Sequence, residues 1–163
     1  MENNLKRFEA IARSLARLPE KQPATLPVPD SSVHPFDTRN VHTNLPAKVR
    51  ELFDDGYFAE ATFLAFKFLD KEVQRHSGLS ELGWKLMMAA FDEASPKLKL
   101  TALISETEKD EQRGFRFIFA GGVAAIRNPR GHEYAVVDDP ETCLDHLSFV
   151  SMLLRRLEAA GFK

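Results

Sequence analysis

Apolar residues recur at helical spacing along most of this chain, and proline and glycine mark the breaks between the periodic stretches. In residues 3 to 18, Leu5, Phe8, Ala12 and Leu15 share one face, with Ile11 and Leu18 widening it, so an amphipathic helix is predicted within residues 1–18. Residues 19–46 carry prolines at 19, 23, 27, 29, 35 and 46, a density that predicts an extended arm or linker. The helical period returns at Ala47. "AKVRELFDDG" reads as a short helix stopped at Gly56, and "YFAEATFLAFKFLDKEVQRHSG" as a long one closed by Gly78. The long helix holds Phe58, Ala61, Phe63, Leu64, Ala65, Phe66, Phe68, Leu69 and Val73, too many for one stripe, and is expected to pack on two sides.

Further along, "SELGWKLMMAAFD" predicts a helix with Ser80 as its N-cap, and residues 94–110 read as an irregular connection. The next helix, Glu111 to Arg127, is expected to stop near Asn128, because Pro129 disfavours the α region for the residue before it. A last helix starts near Pro140 and reaches Gly161, with Leu144, Leu147, Val150 or Ser151, Leu154 and Leu157 at heptad-like spacing. Apart from a weak alternation at "YAVV", no strand pattern competes. The fold class predicted is therefore all-α: a bundle of four to five helices over residues 47–163, with Trp84, Phe91, Phe119, Leu147 and Leu154 in its core.

Composition narrows the classes of function. A length of 163 residues supports one core, and the net charge of −2 offers no broad basic surface, so any contact with a polyanion must rest on a local cluster. Cys143 is the single cysteine, which excludes an intrachain disulfide. The longest apolar run, Phe117 to Ile126, is too short to span a bilayer, and the N-terminus lacks the apolar region of a signal peptide; a soluble cytoplasmic protein with no membrane partner is expected.

Most catalytic signatures are missing. The histidines at 34, 42, 76, 132 and 146 lack metal-ligand spacing, and no metal or cofactor is expected. Gly121 and Gly122 lie within an apolar helix, where they would permit close approach of another helix. The Asp54–Asp55 and Asp138–Asp139 pairs read as turn and cap residues. What stands out is the stretch from Gln112 to His132, which has four arginines (113, 116, 127 and 130) and no acidic residue. In an unbroken helix, Arg116 and Arg127, eleven residues apart, would emerge on one face. Arg113 and Arg116 read either as solvated charges or, with Arg130, as a rail for RNA phosphates. His132 reads either as a turn histidine or as a proton-transfer group. An arginine fork for a phosphate beside a histidine that titrates near neutrality is the equipment for metal-free RNA cleavage.

The residues from His34-Pro35 through "LFDDGYFAEATFLAFKFLD", "LMMAAFDEASPKLKL" and "GFRFIFAGGVAAIRNPRGHE" to "HLSFVSMLLRRLEAAG" resemble a prokaryotic family of Ymh-type proteins, placed in the HEPN superfamily of α-helical ribonucleases and nucleotide-binding proteins. The resemblance implies a HEPN-like bundle whose R-x4-H motif falls on Arg127, Asn128 and His132. It implies that Arg127 stabilises the scissile phosphate, that His132 transfers a proton during attack of the ribose 2′-OH, and that Asn128 positions the phosphate or the pair. Gly131 stands where small residues are usual. Arg127, His132 and Tyr134 also match the R-x4-H-x-Y of toxins whose tyrosine is nucleotidylated, against which stands a purely structural tyrosine. The resemblance further implies a homodimer with a shared cleft, RNA as substrate and a role as toxin or antiphage effector. A non-catalytic dimerisation or RNA-binding module is the alternative, and the N-terminal helix and arm would suit docking of a regulatory protein.

Overall fold

The computed structural model describes residues 33–133 and 136–163; the amphipathic helix predicted within 1–18, the first part of the proline-rich stretch, and Tyr134 lie outside the described residues. Among the described residues the protein is all-α. The elements are α1 (Pro35–Thr38), α2 (Ala47–Asp54), α3 (Phe58–Ser77), α4 (Gly83–Ala90), α5 (Glu106–Gly122), a π-helical turn (Val123–Arg127), α6 (Asn128–His132) and α7 (Pro140–Ala159). None of these helices is long and apolar enough to cross a membrane.

Helix α3 is the axis of the bundle, packing against α2, α4, α6, α7 and the π turn. Its ridge of Ala61, Ala65, Leu69 and Val73 is fully buried, and the small residues at its start admit α7 closely. Phe58, Leu64 and Phe68 pack half-buried at the edges of the same core, which accounts for the excess of apolar positions. Gly78 ends the helix at φ +70, a left-handed conformation in which its N–H reaches the Gln74 carbonyl. Helix α7 follows the expected spacing, with Leu144, Leu147, Val150, Ser151, Leu154 and Leu157 all buried. Asp139 caps it by accepting from the Thr142 N–H, and Pro140 occupies the first turn.

Four expectations need correcting. Residues 33–46 are not an extended arm: Val41, His42 and Leu45 are buried, the His42 N–H donates to Ser151 Oγ at 2.9 Å, and the His42 ring meets Glu158 at 3.0 Å. The apolar residues between the prolines tie this segment down, and the compact unit begins at Val33. Helix α4 starts at Gly83 without a side-chain cap, so Ser80 is not its N-cap. Trp84 is 43% exposed instead of buried, because Gly83, Leu86, Met87 and Ala90 form the inner face and turn the indole outward. Helix α5 begins at Glu106, five residues before Glu111, through a capping box in which Ser105 accepts from the Glu108 N–H and Glu108 accepts from the Ser105 N–H. Buried Gln112 then organises the irregular stretch before α5. It accepts from the Leu100 N–H and donates to the Phe91 and Leu98 carbonyls, beside the Phe91–Phe119 ring pair.

Candidate functional site

The end of α5 sets the geometry of the R-x4-H motif. A Cβ at Gly122 would lie 2.6 Å from the Phe149 ring and 3.3 Å from Phe66, so this glycine is what lets α5 close against α3 and α7. The backbone widens immediately afterwards. The Asn128 N–H bonds to the Val123 carbonyl, five residues back, and Val123–Arg127 forms the π turn. This extra residue breaks the register that would have placed Arg116 and Arg127 on one face.

The helix does not stop at Asn128. Asn128 keeps helical angles (φ −63, ψ −44) and α6 continues to His132. The π turn restarts the hydrogen-bond ladder so that Pro129 falls in a first turn, where a missing N–H costs little. Arg130 locks the result: its Nη1 donates to the Ile126 carbonyl at 2.7 Å, and its Nε to Asp138 at 2.6 Å, in an ion pair buried at both ends. His146 lies 3.9 Å from the same carboxylate, and burial, followed by the Arg130 charge, lowers its pKa.

The run of basic residues is therefore not unopposed. Arg113 pairs with Glu93 at 2.6 Å and Asp110 at 3.0 Å. Arg116 pairs with Asp92 at 2.9 Å and donates to the Met88 carbonyl. With Arg130 held by Asp138, all three arginines are paired with carboxylates of their own chain. Their acidic partners come from the 92–93 loop, from the stretch before α7 and, for Asp110, from just outside the window.

Arg127 is different. Among the described residues it is the one arginine of the four without an ion pair. Its guanidinium carbon lies 5.1 Å from the Phe63 ring centroid, its Nη1 donates to Asn128 Oδ1 at 3.2 Å, and its buried Nε has no hydrogen-bond partner. Beside it, Asp70 on α3 is 2% exposed, and neither carboxylate oxygen is hydrogen bonded. Burial raises the Asp70 pKa; the Arg127 charge, the nearby Gly83 amide and the Lys71 charge oppose that rise. Gly131 completes the cradle, since a Cβ there would lie 2.8 Å from Phe63 Cε2.

His132, the last residue of α6, is exposed and forms no hydrogen bond among the described residues. It is not folded back onto Arg127 by a loop: the two stand five positions apart on helical backbone, about 140° around the axis. The motif's arginine and histidine share a helix end and not a face. Among the described residues no three His, Cys, Asp or Glu side chains gather as metal ligands. A hollow of about 60 Å³ at the far end of α3, lined by His42, Glu72, His76 and Glu158 among others, includes no motif residue.

Phe63, Asp70 and Asp138 are site residues that the sequence pattern alone did not single out. A signal for Asp70 existed, since it is an acid at i+4 from Phe66 on the largely apolar buried face of α3. The described residues thus form an all-α bundle with an arginine and a histidine at one helix end. The chain matches the family described as Protein of unknown function (Hypoth_ymh) over residues 39–157. It belongs to that family. No curated protein and no solved structure matches it.

Proposed function

We propose that this protein is a metal-independent endoribonuclease of the HEPN class, acting as a homodimer in a toxin or antiphage role. The observation that carries the reading is selective: of the four arginines near the motif, Arg127 alone forms no ion pair among the described residues. It is held over Phe63 with a charged fork still available to a phosphate. In the proposed reaction, a histidine takes the proton from a ribose 2′-OH and the oxygen attacks the adjacent phosphorus. Arg127 stabilises the charge that accumulates on the phosphoryl oxygens. The bond to the 5′-oxygen breaks, a protonated histidine supplies its proton, and the products are a 2′,3′-cyclic phosphate and a free 5′-OH.

One base and one acid are needed, and a two-fold pairing would supply a His132 for each role. A stripe on the outside of α5 and the π turn supports such a pairing. It consists of Gly114, Phe117, Ile118, Gly121, Ala124 and Ala125; Phe117 is 51% exposed, and a Cβ at Gly114 or Gly121 would meet nothing within 4 Å. The separation of Arg127 from His132 within one chain favours a second reading, a module that binds RNA without cutting it. Incubation of the purified protein with RNA in EDTA separates the two. Cyclic-phosphate ends that are lost in His132→Ala support the nuclease; RNA binding without such ends supports the module.

A further inference from the structure

Resting on the proposal that RNA is the substrate, we infer that the strand is held by a phosphate track on α3, formed by Lys67 and Lys71 and leading into Arg127. The arginine rail that the sequence suggested is neutralised by its own acids, so the charge that steers a polyanion must lie elsewhere.

The placement of Lys67 follows from two contacts. Phe63 meets the Arg127 guanidinium and Asp70 lies in its field, so Arg127 spans the stretch of α3 between them. Phe63, Lys67 and Asp70 stand at i, i+4 and i+7, one face of a helix. Phe63 and Asp70 turn toward the bundle, whereas Lys67 is exposed on the flank of the same face, one turn from each. Lys71 follows at i+8, also exposed, with a rise of about 6 Å from Lys67, the order of one nucleotide step.

Neither lysine forms an ion pair among the described residues, although Lys71 lies in the field of buried Asp70. Lys67 makes no hydrogen bond or ion pair among the described residues, and Lys71 donates to the neutral Gln74 side chain at 2.9 Å. Exposed Glu60, one turn before Phe63, sets a negative boundary at the other end, so the track runs from Arg127 toward the C-terminus of α3. Lysines suit this task as point charges that hold a backbone without reading bases, which predicts binding with little sequence preference.

The test is a salt titration of binding to a short fluorescein-labelled 2′-O-methyl oligoribonucleotide, whose blocked 2′-oxygens keep binding separate from cleavage. Lys67→Ala and Lys71→Ala should each lower the slope of log K against log[salt] by about 0.7, and the double variant by about 1.4. Lys99→Ala, at the far end of α5 from Arg127, should leave it unchanged, and Lys67→Arg should restore it. Lysine variants that titrate like wild type, or a wild type that does not bind, would overturn the track. Cyclic-phosphate ends on unmodified RNA report on the nuclease separately: cleavage with unchanged slopes removes the track alone, and changed slopes without cleavage remove the nuclease alone.

Discussion

Buried Asp70 lies in the field of half-buried Arg127 without bonding to it: both Asp70 oxygens and the Arg127 Nε lack a hydrogen-bond partner among the described residues. Such a pair contributes little to stability, because the cost of desolvation is not recovered by good geometry, and it leaves the guanidinium available to an incoming anion. Burial raises the Asp70 pKa above its ordinary 3.8 in the folded state. Between the unfolded and folded values the native state binds the extra proton. The contribution to stability is then fully present below 3.8 and is lost as pH rises through the folded value. Asp70→Asn should remove this dependence and be neutral or stabilising by about 1 kcal/mol at neutral pH. Melting curves of the two proteins across acidic pH that run parallel would refute the account.

Removing the cation alone should be costly. Arg127→Ala leaves the Asp70 carboxylate uncompensated and should destabilise by about 3 kcal/mol at neutral pH. Asp70→Asn combined with Arg127→Ala should recover most of that loss in denaturant titrations while RNA cleavage stays absent. Arg127→Lys should fold but cleave poorly, since an ammonium lacks the planar fork.

His132 is exposed, so His132→Ala should change stability by no more than about 0.5 kcal/mol while reducing cleavage on the order of a hundredfold or more. Calorimetry and a cleavage assay on one preparation decide this; equal rates for the two proteins would remove the motif from the mechanism.

Gly131 and Phe63 should be coupled. Gly131→Ala places a methyl 2.8 Å from the ring and should cost about 1 kcal/mol with its native partner, and much less in a Phe63→Ala background, where the space is empty. A double-mutant cycle in urea measures the difference. Additive costs would show that α6 does not rest on that ring.

Arg130 should behave as structure and not as a binding residue. Arg130→Ala leaves buried Asp138 unpaired and should destabilise by about 3 kcal/mol, whereas Asp138→Asn with Arg130→Met should recover much of the loss. The salt slope of RNA binding should be the same in any of these variants that folds.

Much of the fold was legible because its signals are local. Gly78 ends α3, Pro140 and Asp139 start α7, and the heptad from Leu144 to Leu157 is the buried face. The Ser105-x-x-Glu108 capping box that places the start of α5 is also a local signal, but reading residues 94–110 as irregular passes over it. The candidate site was only half legible, since Arg127, Asn128 and His132 are adjacent in sequence, but Phe63 and Asp70, which hold and offset Arg127, come from a helix more than fifty residues earlier.

The sequence by itself determined the longer helices, several of their ends and the stretch that carries both arginine and histidine, because hydrogen bonding and side-chain periodicity act within a few residues. Tertiary structure decided which charges remain available. Glu93, Asp92 and Asp138 neutralise Arg113, Arg116 and Arg130 across 8 to 24 residues, and the π turn rotates Arg127 away from that row onto Phe63. Electrostatic pairing depends on distance in space and not in sequence, so no count of charges along the chain could have separated the arginine left free from the three that hold the fold.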